Sequence, residues 1–265
     1  MNNIDQLLDI MARLRDPKDG CPWDREQTFA SLVPHTIEEA YEVADAIAQG
    51  DTDELCAELG DLLFQVVFYA QVASEAGQFD FDDVVAAIIG KIVRRHPHVF
   101  GEAKIASAAD QSLAWEEHKA GERAERARAE DRPASILDGV ARALPGLTRA
   151  AKLQNRAATV GFDWPHINQV MEKLEEETAE IHAEIAQGAP PERMEDEIGD
   201  LLFVAVNLAR HANIDAEAAL RVACSKFERR FRRIEALLGE QGRTPQEATL
   251  EEMDALWDRA KGEER

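Results

Sequence analysis

Glu176, Glu177 and Glu180 are followed, one short connection later, by Glu197 and Asp200. On a helix, residues three and four apart share a face, which makes neighbours of Glu177 and Glu180, of Glu176 and Glu180, and of Glu197 and Asp200. The segment between them, QGAPPERM, carries two prolines and is short enough to turn two helices antiparallel, so that both acidic pairs look into one gap. Each like-charge pair costs about 0.2–0.5 kcal/mol on a helix surface, and more where water is excluded. Four carboxylates around one point are tolerable when a hard cation neutralises them. Mg²⁺ suits the task, because it takes oxygen ligands and shares its coordination between carboxylates and phosphates.

Taken alone, Glu-Glu-x-x-Glu in a chain with 52 acids among 265 residues is ordinarily a solvated helix face. Two further features argue otherwise. Glu197 and Asp200 sit in EDEIGDLLF, directly against Leu201-Leu202-Phe203, so at least one of them borders a buried face. The pattern also recurs: AELGDLLF occupies 57–64, and Glu38, Glu39, Glu42, Glu58 and Asp61 answer Glu176, Glu177, Glu180, Glu197 and Asp200. A di-iron bundle, the other helical scaffold with clustered glutamates, needs Glu-x-x-His, and no glutamate here has a histidine three residues later.

Cations follow at helical spacing. Lys226 and Arg230 are four apart, with Lys91 and Arg95 as their first-copy counterparts, and Lys173 lies one turn before Glu177. Opposite an anionic phosphate chain they would bind it, Arg230 as the bidentate partner; on a surface helix they would simply balance neighbouring acids.

The elements that must position these groups read as helices throughout. Leu7, Met11 and Leu14 keep helical spacing until Asp16-Pro17 stops the run. Ala40, Tyr41, Ala44, Ile47 and Ala48 form a stripe ended by Gly50 as a C-cap. Leu55, Leu59, Leu62, Leu63, Val66 and Ala70 predict a helix apolar nearly all round after Asp61, and therefore buried; Val84, Ile88 and Ile92 mark another. Upstream, Gly20-Cys-Pro-Trp23 answers Gly161-Phe-Asp-Trp164, the two tryptophans reading as packing anchors. The expected fold is all-α: tandem helical-bundle modules of four-helix type, at 1–120 and 135–265, joined by a charged linker over 121–134.

A net charge of −22 argues against a nucleic-acid polymer as partner. Cys21, Cys56 and Cys224 are scattered and odd in number, which gives no disulfide framework. The start MNNIDQLLDI shows no signal peptide, and the greasy stretch Leu62–Ala73 is shorter than the ~20 residues of a membrane helix. The expectation is a cytoplasmic protein with no membrane partner.

EExxE followed by ExxD resembles the signature of the all-α nucleoside triphosphate pyrophosphohydrolases, and LRDPKDGCPWDREQTFASL (14–32) is similar to the start of the two-module MazG family. The resemblance spans essentially the whole chain. It implies Mg²⁺-dependent cleavage of a broad range of ribo- and deoxyribonucleoside triphosphates to a monophosphate and pyrophosphate by a homodimer. On that reading Glu177, Glu180, Glu197 and Asp200 hold the metal, Glu176 orients or deprotonates the attacking water, and Lys173, Lys226 and Arg230 face the phosphates. The resemblance further implies that Trp257 stacks on the base and that Lys119 reaches nucleotide, although Trp257 serves equally as a core or dimer contact. Two other classes stay open: a Mg²⁺- and nucleotide-binding sensor or scaffold without turnover, and a purely structural acidic bundle. The copies differ near the acids. Asn207 lies two turns beyond Asp200 where the first copy has Phe68, and His35 takes the place of Lys173. The second copy is therefore the expected working site, and the first a weaker site or a dimer surface.

Overall fold

A computed structural model describes residues 3–101, 107, 119–125 and 127–264; Arg126 of the charged junction lies outside the described residues. The chain divides into two compact units, Met1–His118 and Lys119–Arg265. Every regular element among the described residues is helical. At the head of the second unit, residues 119–125, which lead into the charged run, are helical, and Ala127 is fully buried.

The first unit contains α1 (Asn3–Leu14), α2 (Pro22–Glu26), α3 (Phe29–Gln49), α4 (Thr52–Glu75), α5 (Phe81–Arg95) and α6 (Pro97–Phe100). The second contains α7 (Gly146–Ala158), α8 (Ile167–Gln187), α9 (Pro191–His211), α10 (Ala216–Gly239) and α11 (Leu250–Glu263). In each unit the acid-bearing helices form the principal pair, α3 with α4 and α8 with α9, and an earlier helix, α1 or α7, packs across it.

The turn inside each pair has one solution used twice. Gly50 (φ 72°) and Gly188 (φ 65°) end α3 and α8 in the left-handed region, where a side chain would be strained. Their N–H groups donate to Ile47 O and Ile185 O at 3.2 Å, and the next residues, Asp51 and Ala189, donate to Ala46 O and Glu184 O at 3.1 and 3.0 Å. Asp51 then caps α4 by accepting from Asp53 N and Glu54 N, whereas α9 starts on Pro191, which lacks an N–H to satisfy. Buried Glu184 ion-pairs with Arg193, clamping α8 to α9 beside the turn.

The core of the first unit centres on Met11, Leu32, Val67 and Phe68. That of the second draws on Val170, Val204, Val206, Ile234, Leu237 and Leu238. One expectation about burial fails. Tyr41, Ile47, Leu59, Leu63, Val66, Ile88 and Ile92 are exposed, and on α4 it is Gln65, Val67, Phe68, Ala70 and Ala73 that are buried. Periodicity identified the helices, but each helix meets its neighbours on one face only, and the opposite apolar face is uncovered in a single chain. By length and composition α4, at 24 residues, is apolar enough to cross a membrane, which the shorter run counted from sequence is not. Its N-terminal half carries Asp53, Glu54, Glu58 and Asp61, and its other half enters the core.

Candidate metal and nucleotide site

In the second unit α8 and α9 bring Glu177, Glu197 and Asp200 together: one carboxylate oxygen from each lies within 4.8 Å of the others. Glu177 is buried, Glu197 half-buried and Asp200 exposed, so the group forms a cup whose floor is Glu177. Oε2 of Glu177 is buried without a hydrogen-bond partner. A buried, orphaned carboxylate oxygen is costly, and a cation is its natural complement. Glu180 stands beside this trio rather than in it. Burial, then the Glu177 charge, push its carboxyl above the ordinary glutamate value, with Lys173 opposing and Glu197 and Glu176 adding to the rise.

Lys173 Nζ lies 2.8 Å from both Glu176 Oε1 and Glu177 Oε1, and these two acceptors, Glu176 first, raise its pKa. The ammonium thus neutralises part of the cup from the α8 side. The first unit gathers Glu39, Glu42 and Glu58 within the same 4.8 Å and leaves Asp61 outside, with Glu38 turned toward His35 at 3.8 Å. Each unit therefore collects three of the four corresponding acids, a different one standing aside in each. Burial, followed by the Asp61 and Glu42 charges, raises the Glu39 carboxyl, and the Glu58 carboxyl is likewise raised.

The cationic helix is partly engaged elsewhere. Arg230 donates from Nε and Nη2 to Glu264 Oε2 at 2.8 and 2.6 Å, and Arg229 holds the other oxygen of the same carboxylate. These arginines, Arg230 first, hold the Glu264 carboxyl below the ordinary range. Lys226 is exposed and its ammonium makes no ion pair among the described residues. Trp257 is half-buried, with the Arg230 guanidinium 5.4 Å from its ring centroid and Phe227 tilted against it at 5.4 Å. Lys119 is half-buried at the start of the second unit; Lys91 is exposed and Arg95 half-buried in the first.

Asn207 is buried, 4 % exposed, and its Oδ1 accepts from Arg210 at 2.8 Å. Arg210 also pairs with Asp163, which lies 3.2 Å from His211 Nε2. This network ties the Phe162–Trp164 loop to α9. Sequence reasoning passed over it; the signal was the repeated glycine and tryptophan of that loop, read only as packing. Between the loop, α7 and α9 lies a cavity of about 530 Å³ whose walls include Trp164, Phe203, Gln154 and Asn207.

The chain matches the family described as MazG nucleotide pyrophosphohydrolase domain twice, over residues 27–100 and 166–234. Each match covers the paired acidic helices of one unit. The chain is 51% identical over 265 residues to the nucleoside triphosphate pyrophosphohydrolase of Escherichia coli K12, covering 100% of this chain and 99% of that protein. It is 42% identical over 259 residues to the nucleoside triphosphate pyrophosphohydrolase/pyrophosphatase MazG of Thermotoga maritima, covering 98% and 96%. A shorter likeness, 38% over 160 residues, links it to the nucleoside triphosphate pyrophosphohydrolase of Mycobacterium tuberculosis, covering 60% of this chain and 46% of that protein.

Proposed function

We propose, on the premise that this chain belongs to the MazG nucleotide pyrophosphohydrolase family, that its second unit carries the working site and that the divalent cation used there is Mg²⁺. The chain hydrolyses nucleoside triphosphates to a monophosphate and pyrophosphate. The observation that supports this location is the cup of Glu177, Glu197 and Asp200, with its buried, unpartnered carboxylate oxygen.

The donor set fits the cation: all the groups are carboxylates, from two helices, crowded closely enough to repel one another without a positive charge between them. Glu177, Glu197 and Asp200 would hold it, with Glu180 as the fourth ligand. When bound, a divalent cation supplies charge neutralisation to the phosphates and lowers the pKa of water. Glu176, whose Oε1 lies 2.8 Å from Lys173 Nζ, orients the attacking water and accepts its proton. Water oxygen bonds to the α-phosphorus, the bond to the bridging oxygen breaks, and pyrophosphate leaves with the electron pair. Lys226 and Arg230 bind the phosphate chain, Lys173 assists at the cup, and Trp257 and Lys119 approach the nucleoside. The first-unit residues Glu38, Glu39, Glu42, Glu58, Asp61, Lys91 and Arg95 form a weaker or secondary site.

The chain works as a cytoplasmic homodimer on a broad range of bases and sugars. The exposed apolar side chains Tyr41, Leu59, Leu63, Ile88 and Ile92 in the first unit, and Met171, Ile198 and Leu202 in the second, support pairing with another copy.

A panel of ribo- and deoxyribonucleoside triphosphates, with and without Mg²⁺, tests the whole reading. Pyrophosphate is expected as product from every member, and only with the cation; binding without turnover would favour a sensor. A thermal-shift series tests the metal cup separately. The raised carboxyls of Glu180, Glu39 and Glu58 stabilise the fold fully only below the ordinary glutamate value of 4.5, and that contribution is lost as pH rises through their higher folded values. Acids held below their ordinary values, such as Glu264 and Glu252, act in the opposite sense and at lower pH. Millimolar Mg²⁺ is therefore expected to raise the melting temperature at pH 7 and to do so less at pH 5, where protons compete for the same oxygens. An equal shift at both values would show that the cation acts elsewhere.

A further inference from the structure

We propose that the first unit holds a hard divalent cation as a structural pin between α3 and α4, bound by Glu39, Glu42 and Glu58 together with the side-chain carbonyl of Gln65. The proposal rests on the secondary cup named above and gives it a task other than turnover. Three carboxylates alone would not separate this cup from a crowded helix surface. Gln65 does. It lies one turn beyond Asp61 on α4 and is 6 % exposed. Its Nε2 donates to Glu39 Oε1 at 3.4 Å, which places the amide at the edge of the trio. Its Oε1 is buried without a partner. A buried amide oxygen left without a donor is costly unless a ligand completes it. With the nitrogen turned to Glu39, a cation is the one complement that the carboxylates and the free oxygen can share. Carboxylates with an amide carbonyl are the donor set of hard divalent cations.

The duplication shows why the first unit needs such a ligand and the second does not. In the repeat, Gln65 corresponds to Val204, His35 to Lys173, Ala46 to Glu184 and Glu54 to Arg193. The second unit brings its own positive charges to its acidic helix pair. Lys173 Nζ is 2.8 Å from Glu177 Oε1, and Arg193 clamps Glu184 beside the turn. Neither survives in the first unit. His35 meets Glu38 at 3.8 Å rather than the trio, Ala46 carries no charge, and Glu54 adds another acid to the helix that bears Glu58. The α3–α4 pair therefore sets acids against acids with both of those cations removed, and has the Gln65 amide beside them instead. An amide orients Glu39 without neutralising it, so the missing charge must come from solution. Glu39 and Glu42 lie on α3, and Glu58 and Gln65 on α4, so one ion ties the two helices together.

The test measures Mn²⁺ binding to the full chain without nucleotide, by paramagnetic resonance, in Glu177→Gln with Asp200→Asn, where the second cup is disabled. One Mn²⁺ per chain is expected to remain there, and none once Glu42→Gln is added. On the same background Gln65→Val, the side chain that the second unit already buries, is expected to weaken the remaining site about tenfold or more. Gln65→Glu, which adds a charge, is expected to tighten it. Melting temperature gives a second readout: millimolar Mg²⁺ still raises it in the background variant, and Glu42→Gln removes that rise. Loss of all Mn²⁺ when the second cup alone is disabled would overturn the proposal. So would affinities in Gln65→Val and Gln65→Glu equal to that of the background, since Gln65 would then be no part of the site. A parent that binds Mn²⁺ as expected but releases no pyrophosphate from any nucleotide would instead sink the pyrophosphohydrolase reading and spare this one.

Discussion

Asp200→Asn and Glu177→Gln are each expected to lower pyrophosphate release from ATP by a hundredfold or more, with melting behaviour and helical content unchanged. On the proposed reading the two residues would hold one cation from different helices and different depths: Asp200 is exposed at the lip of the cup, and Glu177 is 3 % exposed at its floor. Replacing a group that only orients a metal ligand typically costs about 10–100-fold in affinity or activity, so loss of a ligand charge should cost at least the upper figure. Stability should not suffer, because each substitution removes one like charge from a crowded cup. In Glu177→Gln the Lys173 ammonium keeps Glu176 at 2.8 Å. Single-turnover assays at saturating Mg²⁺, repeated across a metal titration, separate a weakened metal from a damaged chemical step. Asp61→Asn is the internal control. Asp61 stands outside the first-unit trio and its unit carries Phe68 in place of Asn207, so its loss should cost far less. Full activity in Asp200→Asn, or a greater loss in Asp61→Asn, would reject the choice of the second unit.

What could be read before any coordinates were known follows a physical line. Helix boundaries depend on local chemistry, and Gly50, Gly188 and Asp16-Pro17 announce them in the chain itself. The acid cup was legible for the same reason: helical spacing and a short connection leave little freedom in where Glu177 and Asp200 can point. Burial was less legible, because Leu59 and Leu63 satisfy every rule for a core helix and yet are exposed in the single chain. Which face of an apolar helix is covered depends on how many neighbours it has, and periodicity does not count neighbours. Glu264 was invisible for a different reason. Its partners Arg229 and Arg230 are more than thirty residues away, and a charge near a chain's end advertises no partner. The substitution of Phe68 for Asn207 was seen, but as a change in polarity. Its steric meaning, a ring lodged against Trp23 and Phe64, needed the third dimension.

Removal of both Lys226 and Arg230 side chains, as Lys226→Ala with Arg230→Ala, is expected to raise nucleotide KM by about 10–100-fold with a smaller change in kcat. Hydrogen bonds to charged groups contribute about 1.5–3 kcal/mol each, and the lower end applies to a pair that solvent partly screens. Arg230 should dominate: its side chain is 14 % exposed, its planar fork suits two phosphate oxygens, and its ring contact with Trp257 fixes its direction. That arginine is not idle in the free protein, because its Nε and Nη2 already donate to the Glu264 carboxylate. Binding the phosphate chain must displace or share that carboxylate, so Glu264→Gln is expected to act in the opposite direction. Because solvent screens that ion pair, its loss is expected to lower KM by no more than about fivefold. The opposite signs distinguish phosphate binding from simple charge balance on the helix. If Lys226 and Arg230 only offset nearby acids, the double variant leaves KM unchanged and Glu264→Gln has no effect on it. Steady-state kinetics on ATP at two ionic strengths settle the matter, since the double variant should also lose most of the salt dependence of KM.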